Sequence, residues 1–162
     1  MIKYLIFGIS ISFLSWIVGM ILNSILLKTE CYKKLSNLNF VTNDIFNKYI
    51  GIEQFKWIVK NTFFKFFNQK IKLKNKKVEL TEIRKEMTIA EISHLIGFIF
   101  VIFFAFYKSF THNYFFGLVI MIVNVFMNLY PALLQQENKR RIDKLIKKQI
   151  KTVANAKDSL LV

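Results

Sequence analysis

The sequence predicts an all-α membrane protein with three transmembrane helices and a basic amphipathic helix in the membrane interface between the first and the second. Two observations predict this fold class. Hydrophobic residues make up 54% of the 162 residues and aromatic residues 16%, and they cluster in long blocks. The 24 Lys and Arg, against 10 Asp and Glu, lie between those blocks and leave a net charge of +14. A bilayer selects for this segregation because an ionised side chain is costly at mid-depth. The length fits a single membrane domain, residues 1–162.

The first apolar block runs from Tyr4 to Leu27 without a charged residue. About 20 helical residues cross a hydrocarbon core of roughly 30 Å, so the block is long enough to span. A cleaved signal peptide is the alternative, but its apolar core is usually about 7–15 residues and ends in small residues. The second and third spans are predicted at 89–107 and 114–134. The six-residue connector 108–113 between them predicts an antiparallel helical hairpin.

The distribution of cations predicts the orientation of the three spans. Residues 28–88 hold 14 Lys and Arg and the tail 135–162 holds 8, whereas the N-terminus has only Lys3 and the hairpin connector only Lys108. By the positive-inside rule, the 28–88 segment and the basic tail are cytoplasmic. An odd number of spans then places the N-terminus outside and the C-terminus in the cytoplasm.

The cytoplasmic segment contains its own helical pattern between Gln54 and Lys72. Lysines lie between apolar residues that recur at helical spacing, the apolar set being Phe55, Ile58, Val59, Phe63, Phe66 and Phe67 and the basic set Lys56, Lys60 and Lys65. A basic amphipathic helix with aromatic anchors is typical of the membrane interface. Packing against the helical bundle is a compatible alternative. We expect no nucleic acid partner because anionic phospholipid explains the cations more simply.

Polar residues in the third span share one helix face. At about 100° per residue, an arc of roughly 80° contains Asn124, Asn128, Pro131, Gln135 and Asn138. Pro131 lacks a backbone N–H and therefore frees the carbonyl of Met127. Such a face is turned either to a polar ligand or to a neighbouring helix. The second alternative is common because side-chain amides often form hydrogen bonds between helices in membranes.

The second span carries Glu91 and His94 three residues apart, and Arg84 lies on the same side. A carboxylate beside an imidazole orients it as a general base. The alternative is a carboxylate at a helix start and an interfacial histidine. Counted from the cytoplasmic edge at about 1.5 Å per residue, His94 lies about 6 Å deep and Asn128 about 9 Å deep. The antiparallel hairpin thus predicts one shared pocket at the cytoplasmic leaflet.

The sequence predicts no metal site. It contains one cysteine, Cys31, and two separated histidines, His94 and His112. A single cysteine excludes an internal disulfide and a cysteine metal cluster. No phosphate-binding glycine loop or nucleophile elbow is present either.

Two segments carry a family resemblance, EMTIAEISH at 86–94 and NLYPALLQQENKRRI at 128–142. They resemble the glycosyl-diaponeurosporenoate acyltransferases of staphyloxanthin-type carotenoid biosynthesis, whose pattern is E-x-x-x-x-E-x-x-H and later N-x-P followed by Q-R-Y-N-R-P-R-L. The matching positions are Glu86, Glu91, His94, Asn128, Gln135, Asn138, Arg141 and Ile142, with Lys139 in place of Arg. The departures are Pro131, displaced by one position, Gln136-Glu137 for Arg-Tyr, and Arg140 for the second proline.

The resemblance implies a transferase of the bacterial cytoplasmic membrane that moves a fatty acyl group to a sugar hydroxyl of a lipid-like glycoside. Together with the Glu91–His94 spacing, this gives the hypothesis that His94 is the general base and Glu91 the residue that orients it. The residues expected to bind substrate are Asn124, Asn128, Gln135, Asn138, Lys139, Arg140, Arg141 and Glu86. No cofactor is expected, only an acyl donor such as acyl-CoA or an acyl carrier protein, whose phosphate Lys139, Arg140 and Arg141 would attract.

The rival hypothesis is a non-catalytic membrane adaptor whose basic segments bind anionic lipid or an acidic partner. In that case the amide face of the third span is a helix-packing face. A small transporter subunit fits less well because three spans enclose little space unless the protein forms homo-oligomers, which the sequence leaves open. Membrane lipid is an expected partner under every one of these hypotheses.

Overall fold

The structure of the protein is a computed structural model that describes residues 1–38, 40, 49–61 and 76–158. Within these ranges the regular elements are helical and no strand is present. In chain order they are α1 (Ile2–Leu26), α2 (Cys31–Leu35), α3 (Ile52–Asn61), α4 (Lys76–Thr111), α5 (Tyr114–Asn124), a π-helical turn (Val125–Leu129) and α6 (Tyr130–Asp158).

Three helical segments are long and apolar enough to cross a membrane, which confirms the predicted all-α class with three spans. They are Ile2–Leu26, Leu80–Thr111 and the continuous stretch Tyr114–Thr152, which includes the π-helical turn. Large apolar side chains on the outside of α1 are exposed, among them Leu5, Phe13 and Ile17. Such a surface suits a membrane, because apolar side chains are stable in contact with lipid tails but not in contact with water.

Two helices extend beyond the apolar blocks that predicted them. The second predicted span begins at residue 89, but α4 begins at Lys76. The third predicted span ends at residue 134, but α6 continues to Asp158. The reason is physical: hydropathy marks only the part of a helix that suits lipid, and these helices continue as charged segments outside that part.

The helical hairpin forms at the predicted place. Between α4 and α5 the chain reverses at His112 and Asn113, and the Asn113 side chain accepts a hydrogen bond of 2.8 Å from the Phe116 backbone N–H. This is an N-cap, which satisfies one of the free donors at a helix start. The two helices pack along each other as the short connector requires.

Small and polar residues on α1 allow it to approach α4 closely. A Cβ at Gly19 would collide with the carbonyl of Ser93, and a Cβ at Gly97 would lie 3.1 Å from Ser15 Oγ. Asn23 then links the two helices, donating to Ile89 O at 2.9 Å and to Ser93 Oγ at 3.0 Å. Close packing of backbones and hydrogen bonds between helices are the main attractive interactions available to helices inside a membrane.

The helix α3 covers one end of the bundle and packs against α6. The Tyr130 hydroxyl donates to Ile50 O at 2.5 Å, and the ring of Phe55 lies 5.2 Å from that of Tyr130. The remainder of the predicted interfacial helix, including Phe63, Lys65, Phe66 and Phe67, lies outside the described residues. The predicted position of this helix in the membrane interface stays a prediction.

Candidate active site

A cavity of about 510 Å³ lies between α1, α3, α4, the π-helical turn and α6. Its volume is within the range of about 300–1,000 Å³ typical of small-molecule sites. Most of its lining is apolar or aromatic, and its polar lining residues are Lys56, Lys60, His94, Gln135 and Asn138. Three of these five, His94, Gln135 and Asn138, are residues that the sequence predicts for the site.

His94 is the titratable residue on the α4 wall of the cavity. Its Nδ1 is buried and has no hydrogen-bond partner among the described residues. The side chain of Asn128 lies beside the imidazole. The ring of Trp16 lies 6.0 Å from it in an edge-to-face arrangement, with the two planes at 89°. The imidazole is therefore held by two neighbours while one of its nitrogens remains without a bond.

Trp16 is a lining residue that the sequence analysis missed. Its Nε1 donates a hydrogen bond of 3.2 Å to the carbonyl of Met127, the carbonyl that Pro131 is predicted to free. A stripe on α1 could have indicated this face, because Ser12, Ser15, Gly19 and Asn23 recur every three or four residues and all are buried. A stripe of small and polar residues in a span indicates the side that contacts other helices.

The two asparagines of the third span lie inside the bundle rather than on the cavity wall. Both are fully buried. Asn124 Nδ2 donates to Phe98 O at 3.0 Å, and Asn128 Nδ2 donates to Ser15 Oγ at 3.0 Å and to Asn124 Oδ1 at 2.9 Å. Their amide donors thus bond to protein, which matches the helix-packing alternative. Asn128 still reaches the site because its side chain lies beside His94.

Glu91 and His94 are not brought together. Glu91 Oε1 accepts a hydrogen bond of 2.8 Å from Gln136 Nε2, and Oε2 forms an ion pair of 2.5 Å with Lys139 Nζ. Among the described residues no hydrogen bond or ion pair joins Glu91 to the imidazole. Residues three apart differ by about 60° around a helix, and here that angle turns Glu91 toward α6 and His94 toward the cavity.

The Glu91–Lys139 pair is buried and extends to the segment after α1. Glu91 is fully buried and Lys139 is 4% exposed, and Lys139 Nζ also donates to Ser36 O at 2.9 Å. Burial raises the pKa of the Tyr32 hydroxyl, and the negative charge of Glu91 raises it further. Tyr32, Ser36, Glu91, Gln136 and Lys139 therefore form one polar cluster, separate from the cavity.

The other predicted binding residues also lie away from the cavity wall. Arg141 pairs with Glu137, Arg140 is half-buried on the same helix, and Glu86 is exposed on α4. Arg84 pairs with Asp143, its Nε lying 2.5 Å from Oδ1. The predicted donor site at Lys139, Arg140 and Arg141 is thus occupied by ion pairs at two of its three positions.

Comparison with known families gives a match over most of the chain. The sequence model of the glycosyl-4,4'-diaponeurosporenoate acyltransferase family matches residues 28–148, more than half of the chain. The match contains α3, α4, α5, the π-helical turn and most of α6, and therefore His94 and both cavity-lining amides. The helix α1, which supplies Trp16 and Ser15, lies outside it. No curated protein and no solved structure matches the chain.

Proposed function

Because this chain belongs to the glycosyl-4,4'-diaponeurosporenoate acyltransferase family, we propose that it transfers a fatty acyl group from an activated donor to a sugar hydroxyl of a membrane glycoside. The family name gives a carotenoid glycoside as the acceptor. The observation that carries the proposal is the His94 imidazole, which lines a largely apolar cavity and whose buried Nδ1 has no hydrogen-bond partner in the described part of the chain. A general base needs a nitrogen free to accept the proton of a bound hydroxyl, and in this proposal the imidazole turns to present Nδ1 to the cavity.

In the proposed reaction the donor is a fatty acyl thioester. The sugar hydroxyl oxygen forms an ester bond with the acyl carbonyl carbon, and the carbon–sulfur bond of the donor breaks. His94 takes the hydroxyl proton and returns it to the departing thiolate, so that the protein ends unchanged. The apolar walls of the cavity would keep water from the thioester and thereby limit its hydrolysis.

The neighbours of His94 have separate roles in this proposal. Trp16 and Asn128 act as positioning residues, since both contact the imidazole and are themselves bonded within the bundle. The amides of Gln135 and Asn138 line the cavity and are suited to hold the sugar or the oxyanion that develops on the acyl carbonyl. Asn124 and Glu91 support the bundle without touching the substrate.

The location of the cavity supports a reaction at the cytoplasmic leaflet. Its lining includes Lys56 and Lys60 from the 28–88 segment and Asn138 from the start of the basic tail. The positive-inside rule predicts that these cation-rich segments are cytoplasmic. We therefore propose that the N-terminus is outside and that fatty acyl donors reach the cavity from the cytoplasm of a bacterial cell.

The test is acyl transfer by purified protein in vesicles, with a labelled acyl thioester and a carotenoid glycoside or another membrane glycoside. His94→Gln should lower the transfer rate by about 100-fold or more, since general base catalysis contributes roughly 10²–10⁴. The matched control is His112→Gln, because His112 is exposed in the hairpin connector. Both variants should keep the thermal stability of the parent.

Two outcomes would contradict the proposal. Full activity of a correctly folded His94→Gln protein would remove His94 from the mechanism. A parent protein that transfers no acyl group to any membrane glycoside, while still binding anionic vesicles, would favour the adaptor hypothesis instead.

A further inference from the structure

Two lysines of α3 lie at the edge of the cavity. Lys56 and Lys60 both line it and are four residues apart, so they project from one face of the helix. Lys56 is half-buried and lies 3.5 Å from Glu137 Oε1. Lys60 is exposed and forms no ion pair with the described part of the chain. Both ammonium groups can therefore meet a ligand that occupies the cavity.

The charges around this edge do not cancel. Glu137 is the carboxylate partner of both Lys56 and Arg141, so one negative charge there faces two positive ones. Lys60 adds a third positive charge on the cavity side. Other cations of the bundle are neutralised elsewhere, Lys139 by Glu91 and Arg84 by Asp143. Among the described residues, the edge of the cavity therefore carries more positive than negative charge beside an apolar interior.

An apolar cavity with cations at its edge fits an amphiphile that has an anionic head and an acyl chain. We infer that Lys60, together with Lys56, binds a phosphate of the acyl donor while the acyl chain enters the cavity toward Trp16 and Phe126. This inference rests on the proposed function and names the donor class as phosphate-bearing fatty acyl thioesters. It moves the donor site from the predicted Lys139, Arg140 and Arg141 to α3.

Ammonium–phosphate hydrogen bonds are charge-assisted and stronger than neutral ones. Lys60 is exposed, however, and solvent screening reduces the strength of exposed ion pairs. We therefore expect a loss of about tenfold in donor affinity on removing Lys60, rather than complete loss.

The experiment measures equilibrium binding to full-length protein in nanodiscs of phosphatidylcholine, with empty nanodiscs as the blank. The protein carries His94→Gln so that the donor is not consumed. The two probes are palmitoyl-CoA, which carries phosphates, and palmitoyl-N-acetylcysteamine, which has the same thioester and chain without phosphate. Lys60→Gln should weaken palmitoyl-CoA binding about tenfold and leave binding of the second probe unchanged.

Two matched variants sharpen the result. Lys60→Arg should retain most of the affinity for palmitoyl-CoA because it keeps the charge. Lys148→Gln removes an equal charge from an exposed position on α6 that does not line the cavity, and it should change neither affinity. Equal losses for both probes, or the same loss in Lys148→Gln, would overturn the inference.

A lipid headgroup could supply the same phosphate chemistry, and a second arm distinguishes this source. Nanodiscs that contain phosphatidylglycerol should compete only weakly with palmitoyl-CoA if the donor phosphate occupies the site. Binding of palmitoyl-N-acetylcysteamine that rises with phosphatidylglycerol and loses this dependence in Lys60→Gln would assign the site to lipid and overturn the donor assignment. Because these measurements need no turnover, failure of acyl transfer in the parent protein would contradict only the proposed function.

Discussion

Polar residues on two faces of the helix pair α4 and α6 have opposite surroundings. On one face, His94 of α4 and Gln135 and Asn138 of α6 line a cavity. On the other, Glu91 of α4 bonds to Gln136 and Lys139 of α6 and no cavity separates them. The residues of the two faces are neighbours in the sequence. In this bundle, the presence of a bonding partner therefore separates structural polar residues from proposed site residues. The type of the residue and its depth in the membrane separate them less well.

The physical reason lies in the cost of burying charge. An ionised carboxylate or ammonium taken out of water is stabilised only by an opposite charge and by hydrogen bonds to its remaining atoms. Glu91 and Lys139 have both, with Gln136 and the Ser36 carbonyl as additional partners. His94 can be neutral at little cost, so its Nδ1 can stay without a partner among the described residues. Under the proposed function a substrate hydroxyl would supply that partner.

After substitution of His94, the largest effect should come from disrupting the Glu91–Lys139 ion pair, and it should be an effect on stability. Lys139→Met leaves the Glu91 carboxylate buried without its counter-ion, and removing one partner of a buried pair costs about 3–5 kcal/mol. We expect a large fall in the thermal unfolding temperature in detergent, with little change in acyl transfer per folded molecule. The double variant Glu91→Gln, Lys139→Met should recover much of the lost stability, because neither charge then remains.

The single variant Glu91→Gln could overturn the comparison between the two faces. Glu91→Gln would have to abolish acyl transfer while leaving the unfolding temperature unchanged. Such a result would return Glu91 to the catalytic role that its spacing to His94 suggested.

The sequence predicts the spans well and the partners of their side chains poorly. Uncharged blocks are required by the hydrocarbon core, so the first predicted span, Tyr4–Leu27, is close to the observed Ile2–Leu26. His94 and two of the amides were predicted on the cavity because helical periodicity places them on inward faces. The same periodicity could not separate Glu91 from His94, since 60° lies within the reach of two flexible side chains.

Contributions from distant parts of the chain were not predictable in this way. Trp16 lies in α1 and reaches the site only because small residues bring α1 against α4. Lys56 and Lys60 were predicted to face the membrane interface, and their place on the cavity depends on how α3 packs against α6. Long-range packing decides such contacts, and a local pattern does not encode it.

An intermediate effect should follow from changing Trp16 on the cavity face. Trp16→Phe keeps an aromatic ring beside His94 but removes the N–H that bonds to Met127 O, whereas Trp16→Leu removes both. Aromatic pairs contribute about 0.5–1.5 kcal/mol, so Trp16→Leu should lower kcat about two- to tenfold and Trp16→Phe less. Rescue by Phe, with KM for the donor nearly constant, would identify the ring as a positioning group.

A spectroscopic readout separates positioning from simple packing. The chain has two tryptophans, and Trp57 is exposed on α3, so a Trp57→Phe protein reports on Trp16 alone. Its fluorescence should change with pH as His94 titrates, and the change should vanish in His94→Gln but persist in His112→Gln. A pH response that survives unchanged in His94→Gln would come from another titrating group and would contradict the predicted coupling between the two rings.

The smallest expected effects give the most direct comparison of the two faces, because the two residues that are changed are adjacent in the sequence. Gln135 lines the cavity, and Gln136 donates to Glu91. Gln135→Ala should raise KM for the acceptor about two- to tenfold without loss of stability, since one neutral hydrogen bond contributes about 0.5–1.5 kcal/mol. Gln136→Ala should lower the free energy of unfolding by about 1–3 kcal/mol and leave KM unchanged, because a buried carboxylate oxygen loses its donor. If the two variants behaved alike in both assays, the two faces of α6 would not have the separate roles that their contacts indicate.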